Sequence, residues 1–159
     1  SSIGNFDPGQ ACDLLRRIAN IIGPEGRLLI GVDLKKAPSR LHAAYNDSEG
    51  VTAQFNLNLL TRINRELDAD FDLAAFRHEA FYNAQLGRIE MHLVATAPQR
   101  VRIDGCCFEF QAGESIHTEN SYKFSVEEFQ ALAAQAGMAS LRVWQDDDAL
   151  FSVHCLQPV

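Results

Sequence analysis

Glu119 and Ser121 stand two positions apart in the stretch Thr118-Glu119-Asn120-Ser121-Tyr122-Lys123. In an extended chain such residues project to the same side. A carboxylate and a hydroxyl so placed could clasp a ring that both donates and accepts a hydrogen bond, such as imidazole. The surrounding run, 113–124, is polar and patternless. It reads as a long loop between a sheet and a helix, where binding residues concentrate. A solvated charged loop is the competing account. Near the start, Gly4-Asn5 joins a residue that permits close backbone approach to an amide that donates and accepts. A plain Asx turn also explains Asn5. Tyr45, between a short helix and the turn at 46–50, reads as a rim or packing residue. Met91, inside Ile89-Glu90-Met91-His92-Leu93, reads as core.

Other chemistries find little support. His42, His78, His92, His117 and His154 show no zinc-motif spacing, and Asp146-Asp147-Asp148 lacks a calcium-loop pattern, so no metal is expected. There is no Gly-x-Ser-x-Gly and no evident Cys–His pair for nucleophilic catalysis. Cys12, Cys106, Cys107 and Cys155 form no CxxC pair and are expected to be reduced and mostly buried, which implies a reducing, cytoplasmic compartment. Against 14 Lys and Arg stand 21 Asp and Glu, a net charge of -7, which argues against a nucleic-acid partner. No apolar run approaches a membrane span, and the first residues lack the pattern of a signal peptide.

The elements that would position these residues follow from periodicity. At roughly 150 residues per domain, 159 residues make one domain, or one split by an insertion. Asp7-Pro8 predicts a helix start, followed by Ala11, Leu14, Leu15, Ile18, Ile21 and Ile22 at helical spacing. Residues 27–33 read as a strand buried on both faces, as in a parallel sheet. A short helix over 38–44 and a longer one over 51–67 follow, the latter with a core stripe of Phe55, Leu59, Ile63 and Leu67. Beyond Arg77, short strands at 81–83, 88–96, 99–103 and 106–110 predict an antiparallel sheet, with Asp104-Gly105 a hairpin turn. Ser125 with Glu128 predicts a capping box, its helix ending at Gly137. Strands at 141–144 and 150–155 flank the Asp146 turn. The fold class is α/β: residues 1–35 and 124–159 form two ends of one sheet, and 36–123 form an inserted α+β module of helices and antiparallel sheet. In such sheets ligands bind at the carboxyl ends of strands, here Ser2-Ile3-Gly4-Asn5 and Val32-Asp33-Leu34. The opening Ser-Ser-Ile-Gly-Asn-Phe resembles mid-fold sequence, so the chain reads as a piece of something longer.

The segment Ser1-Ser2-Ile3-Gly4-Asn5-Phe6 resembles the Gly-Ser-(Ser/Thr)-Ile-Gly-Asn segment of the histidine-specific methyltransferases of ergothioneine biosynthesis. The resemblance continues through residues 29–35, 43–47, 50–56, 63–67 and 88–91, and through Thr118-Glu119-Asn120-Ser121-Tyr122-Lys123-Phe124. It implies the C-terminal portion of a Rossmann-like methyltransferase sheet carrying a substrate-binding insertion. It implies trimethylation of the α-amino group of L-histidine by S-adenosylmethionine. Asn5 and Tyr45 are then the candidate catalytic residues, orienting the amino-acid end, with Thr52 near Tyr45. Glu119 and Ser121 bind the imidazole, and Met91 packs beside the substrate. Asn120 stands where some members carry an apolar residue. Ser2 and Gly4 are the cofactor-side candidates here, because the family's Gly-rich turn and ribose-gripping acid lie upstream. Half of such a sheet leaves an unpaired strand edge, which invites self-association, and the fragment alone is expected to be inactive. Two alternatives stand beside this reading: a stand-alone binding module, and methylation of another imidazole or indole amino acid.

Overall fold

A computed structural model describes residues 1–159. A 3₁₀ turn over Ser2–Asn5 leads into α1 (Pro8–Ile22), β1 (Leu28–Asp33), α2 (Pro38–Tyr45) and α3 (Val51–Glu66). A second 3₁₀ turn, Leu73–Ala75, precedes β2 (Phe76–Asn83), β3 (Arg88–Ala95), β4 (Gln99–Ile103), β5 (Cys106–Phe110) and β6 (Ser115–Tyr122). The chain closes with α4 (Val126–Gln135), β7 (Met138–Gln145) and β8 (Phe151–Pro158). Two compact units result. One comprises Ser1–Ala37, Asn83–Ile89 and Asn120–Val159; the other comprises Pro38–Tyr82 and Glu90–Glu119.

In the first unit, α1 starts on Pro8 with Gln10 Oε1 accepting from the Asp7 amide at 3.2 Å, and ends where Gly23 turns to φ 68°. The capping box of α4 forms as the sequence predicts: Glu128 N donates to Ser125 Oγ, and Ser125 N to Glu128 Oε2. Both helices pack on the sheet β1-β8-β7 around Leu15, Val32, Phe129, Met138 and Leu156. Within this chain β1 has no parallel partner strand. It pairs antiparallel with β8, Leu28 opposite Leu156 through Asp33 opposite Phe151, and lies at the sheet edge. Leu28, Ile30 and Val32 face the core, while Leu29 is 65% exposed.

His154 lies fully buried in this core, 4.7 Å from the Phe129 ring centroid. Ser152 Oγ donates to Val32 O at 3.4 Å and sits 2.9 Å from His154 Nε2, so Nε2–H donates to Ser152 and Nδ1 is left as an unpaired acceptor. Burial pushes the His154 pKa below its ordinary 6.5. The unfolded chain therefore takes up a proton that the folded chain refuses. Stability should fall as pH drops below about 6.5, toward the lowered folded value. His154→Leu should flatten this part of the urea-unfolding profile between pH 5 and 7.5. An unchanged slope would show that His154 is not its source.

The second unit is built on α2, α3 and the antiparallel strands. Its core holds Leu60, Phe71, Phe76, Leu93 and Val101, with the Phe76 and Phe110 rings edge-on at 5.5 Å. The predicted stripe of α3 is displaced. Phe55, Leu59 and Leu67 are exposed, while Asn56 and Leu60 are buried and Ile63 packs against the core. A strict four-residue repeat drifts about 40° per step around a helix, so a straight seam alternates four and three, here 56, 60 and 63. Asn56 can hold a core position because its amide donates to His92 O at 3.1 Å and to His78 Nδ1 at 3.0 Å. The strand at 81–83 extends back to Phe76, and residues 115–122 form a strand rather than a loop, in the sheet β2-β3-β6. Its polar alternation is faint because only one end is well covered. The β4–β5 hairpin turns on Asp104 (φ 46°) and Gly105 (φ 76°), as Asp-Gly predicts. Cys106 and Cys107 are exposed, against the expectation of buried thiols; all four cysteines are free. No helix of the chain is long and apolar enough to cross a membrane.

Candidate functional site

In the second unit Tyr45 ends α2 and is half-buried. Its carbonyl lies 2.8 Å from His78 Nε2, so His78 donates there and its Nδ1 accepts from Asn56. The next residue, Asn46, mimics a strand neighbour: its Oδ1 accepts from Ala80 N at 3.2 Å and its Nδ2 donates to Ala80 O at 2.9 Å. Asn64 repeats the device on Phe71. Tyr45 is thus fixed by two backbone clamps to β2. Sequence reasoning missed Asn56 and His78 in this role. The visible signal was a polar residue on the helix side that must face the core.

Thr52 lies in the first turn of α3, under Asp47. The Asp47 carboxylate accepts from Val51 N at 2.8 Å and from Thr52 N at 2.9 Å. The Thr52 hydroxyl and these amides hold its pKa down at about 2. Met91 is 3% exposed, and its carbonyl accepts from Thr118 Oγ1 at 3.0 Å. Glu119 is half-buried on β6, on the same face as His117, whose Nε2 donates to the Glu119 carbonyl at 3.2 Å.

Glu90, His92 and His117 bring three ligand atoms within 4.8 Å of one another. Their geometry suits stacking better than a metal. The His92 and His117 rings lie parallel, 13° apart with centroids at 4.5 Å, and Phe81 continues the stack on His92. In-plane lone pairs of parallel rings run along separate lines and do not converge on one ion.

In the first unit Asn5 is exposed and lines an open pocket of about 430 Å³ with Phe6, Gln10, Asp13, Leu14 and Arg17. Gly4 is there for space. A Cβ on it would come within 2.7 Å of the Tyr122 carbonyl. A second link joins the same segments: Tyr122 OH donates to Asp7 Oδ1 at 2.8 Å and accepts from Arg88 at 2.7 Å. Burial, then the bond to Asp7, pushes the Tyr122 pKa up. These contacts seat the Ser2–Asn5 turn against the end of β6, next to Ser121. Ser121 is buried and accepts from Lys123 Nζ at 2.6 Å. Asn120 points to the other side of the strand, and its Oδ1 is buried without a hydrogen-bond partner. As a cofactor cradle the turn is incomplete. Ser2 is exposed, and the face of Gly4 is filled by Tyr122 rather than open to a ligand. These residues alone do not enclose S-adenosylmethionine.

Residues 1–158 match a family model described as histidine-specific methyltransferase, SAM-dependent. The chain is 45% identical over 155 residues to a histidine N-alpha-methyltransferase of Mycobacterium tuberculosis, covering 96% of this chain and 48% of that protein. It is 30% identical over 158 residues to ergothioneine biosynthesis protein 1 of Neurospora crassa, covering 91% of this chain and 16% of that protein. Among solved structures, the CcbJ methyltransferase from Streptomyces caelestis is similar in fold at a TM-score of 0.50 and 9% identity, over 99% of this chain and 57% of that one. The chain spans about half the length of the mycobacterial relative.

Proposed function

The chain belongs to the SAM-dependent, histidine-specific methyltransferases, and on that premise we propose that the full-length protein trimethylates the α-amino group of L-histidine, a step of ergothioneine biosynthesis. The observation that carries this reading is the family match over residues 1–158. S-adenosylmethionine, the methyl donor of the family, supplies an already activated methyl group. The protein's own task is therefore alignment, an effect worth up to about 7–11 kcal/mol when the geometry is good.

In this reading Asn5 and Tyr45 hold the amino-acid end, so that the amine is presented in a fixed direction. The Asn46 clamp and the His78 bond to the Tyr45 carbonyl keep Tyr45 in place. Thr52 lies beside that end. Met91 packs next to the substrate, and Glu119 and Ser121 take the two nitrogens of the ring. A site that demands both a donor and an acceptor rejects rings that leave one of its groups unpaired. The net charge of -7 suits a small-molecule substrate rather than nucleic acid. The exposed thiols of Cys106 and Cys107 suit the reducing cytoplasm.

The test is product analysis by mass spectrometry. The full-length enzyme, given S-adenosylmethionine and each amino acid of a panel, should methylate L-histidine and stop at three methyl groups. Methylation of an indole amino acid with none of histidine would overturn the proposal.

A further inference from the structure

Lys123 is a buried cation, its side chain 1% exposed, two residues beyond Ser121. Its Nζ lies 2.7 Å from Asp33 Oδ2 and donates to Ser121 Oγ at 2.6 Å. The backbone explains this placement. Leu34 and Phe124 form a lone parallel bridge, with Phe124 N donating to Asp33 O and Lys35 N to Phe124 O. Lys123 N donates to Gly87 O at 2.9 Å. The carboxyl end of β1 is thereby held beside the segment leaving β6. Lys36 donates to the other Asp33 oxygen at 2.6 Å. Burial alone would raise the Asp33 pKa, but the bonds from Lys123 and Lys36 outweigh it and hold the carboxyl below its usual range.

We propose that Lys123 is a positioning residue for the substrate ring, fixing the Ser121 hydroxyl as a donor toward a ring nitrogen that carries a lone pair. An ammonium only donates. The Ser121 oxygen must therefore accept from Nζ and turn its own proton elsewhere. An O–H that accepts a charged hydrogen bond is itself polarised into a better donor. Such a hydroxyl selects an unprotonated azole nitrogen. A ring presenting only N–H or C–H at that place gains nothing from it. Asp33 compensates the lysine charge, so the device does not leave an orphan ion. The proposal rests on the reading that Ser121 meets the ring.

A double-mutant cycle on the full-length enzyme separates the two, with KM for L-histidine and kcat measured for wild type, Ser121→Ala, Lys123→Met and the double variant. Each single change should raise KM about tenfold, as for one lost hydrogen bond to a charged or polarised group, with a much smaller effect on kcat. The double variant should be no worse than Ser121→Ala. An unmoved KM in Ser121→Ala refutes the ring contact itself. If Ser121→Ala raises KM, then a wild-type KM in Lys123→Met, or a double variant in which the two effects multiply, overturns the role of Lys123. Should circular dichroism show that Lys123→Met does not fold, Asp33→Asn with Lys123→Met removes both charges of the pair and is read in the same cycle.

Discussion

Replacing Glu119 by alanine in the full-length enzyme should weaken L-histidine binding by about 1.5–3 kcal/mol, the usual worth of a hydrogen bond to a charged group. That is roughly 10- to 150-fold in Kd, well within the reach of calorimetry. The effect should be selective for the ring end of the ligand. Glu119→Gln keeps the length and one acceptor oxygen and should fall between the two. Glu119 sits on a paired strand with its own carbonyl held by His117, so truncation of its side chain leaves the backbone supported. A Kd unchanged in Glu119→Ala would take this carboxylate out of the ring contact and leave the recognition of imidazole unexplained.

The larger loss of stability is expected at Phe129. Its side chain is fully buried, edge-on to Phe124 at 5.7 Å and to His154 at 4.7 Å. Phe129→Ala should cost about 3–5 kcal/mol, from lost burial and from the cavity left behind. Urea unfolding of the full-length protein should show this as a shift of the transition reporting on the β1-β8-β7 sheet. A loss below about 1 kcal/mol would mean that the neighbours collapse into the space, contrary to the close packing of protein interiors. The cavity would open beside His154 Nδ1, which has no partner. Phe129→Leu, which keeps most of the volume, should therefore recover much of the stability.

Local signals were legible in the sequence wherever one residue type does one job. Pro8 starts α1, Ser125 and Glu128 close a box on α4, and Asp104-Gly105 makes a hairpin. What failed were inferences about which face is covered. The apolar run at β1 predicts a buried Leu29, whereas within this chain, where β1 pairs only with β8, Leu29 is exposed. Phe55 drew the seam of α3 to itself, while the core took Asn56, whose amide found partners on β3 and His78. Residues 115–122 lack apolar alternation, so their strand is visible only through pairing. For the candidate site, the spacing of Glu119 and Ser121 suggests a shared side, and their part in ring binding stays a proposal. Tyr45, Thr52 and Met91 owe their assignment to family resemblance, since nothing in their spacing sets them apart. Lys123 stands in the same motif, but nothing in its spacing gives it a role. Its importance comes from Asp33, 90 positions earlier in the chain, and only folding makes them neighbours.

Gly4 and the Tyr122 carbonyl approach so closely that not even a methyl group fits between them, and Asp7 grips the same tyrosine from the other end of its ring. Two segments more than a hundred residues apart in sequence are riveted into one stiff bracket.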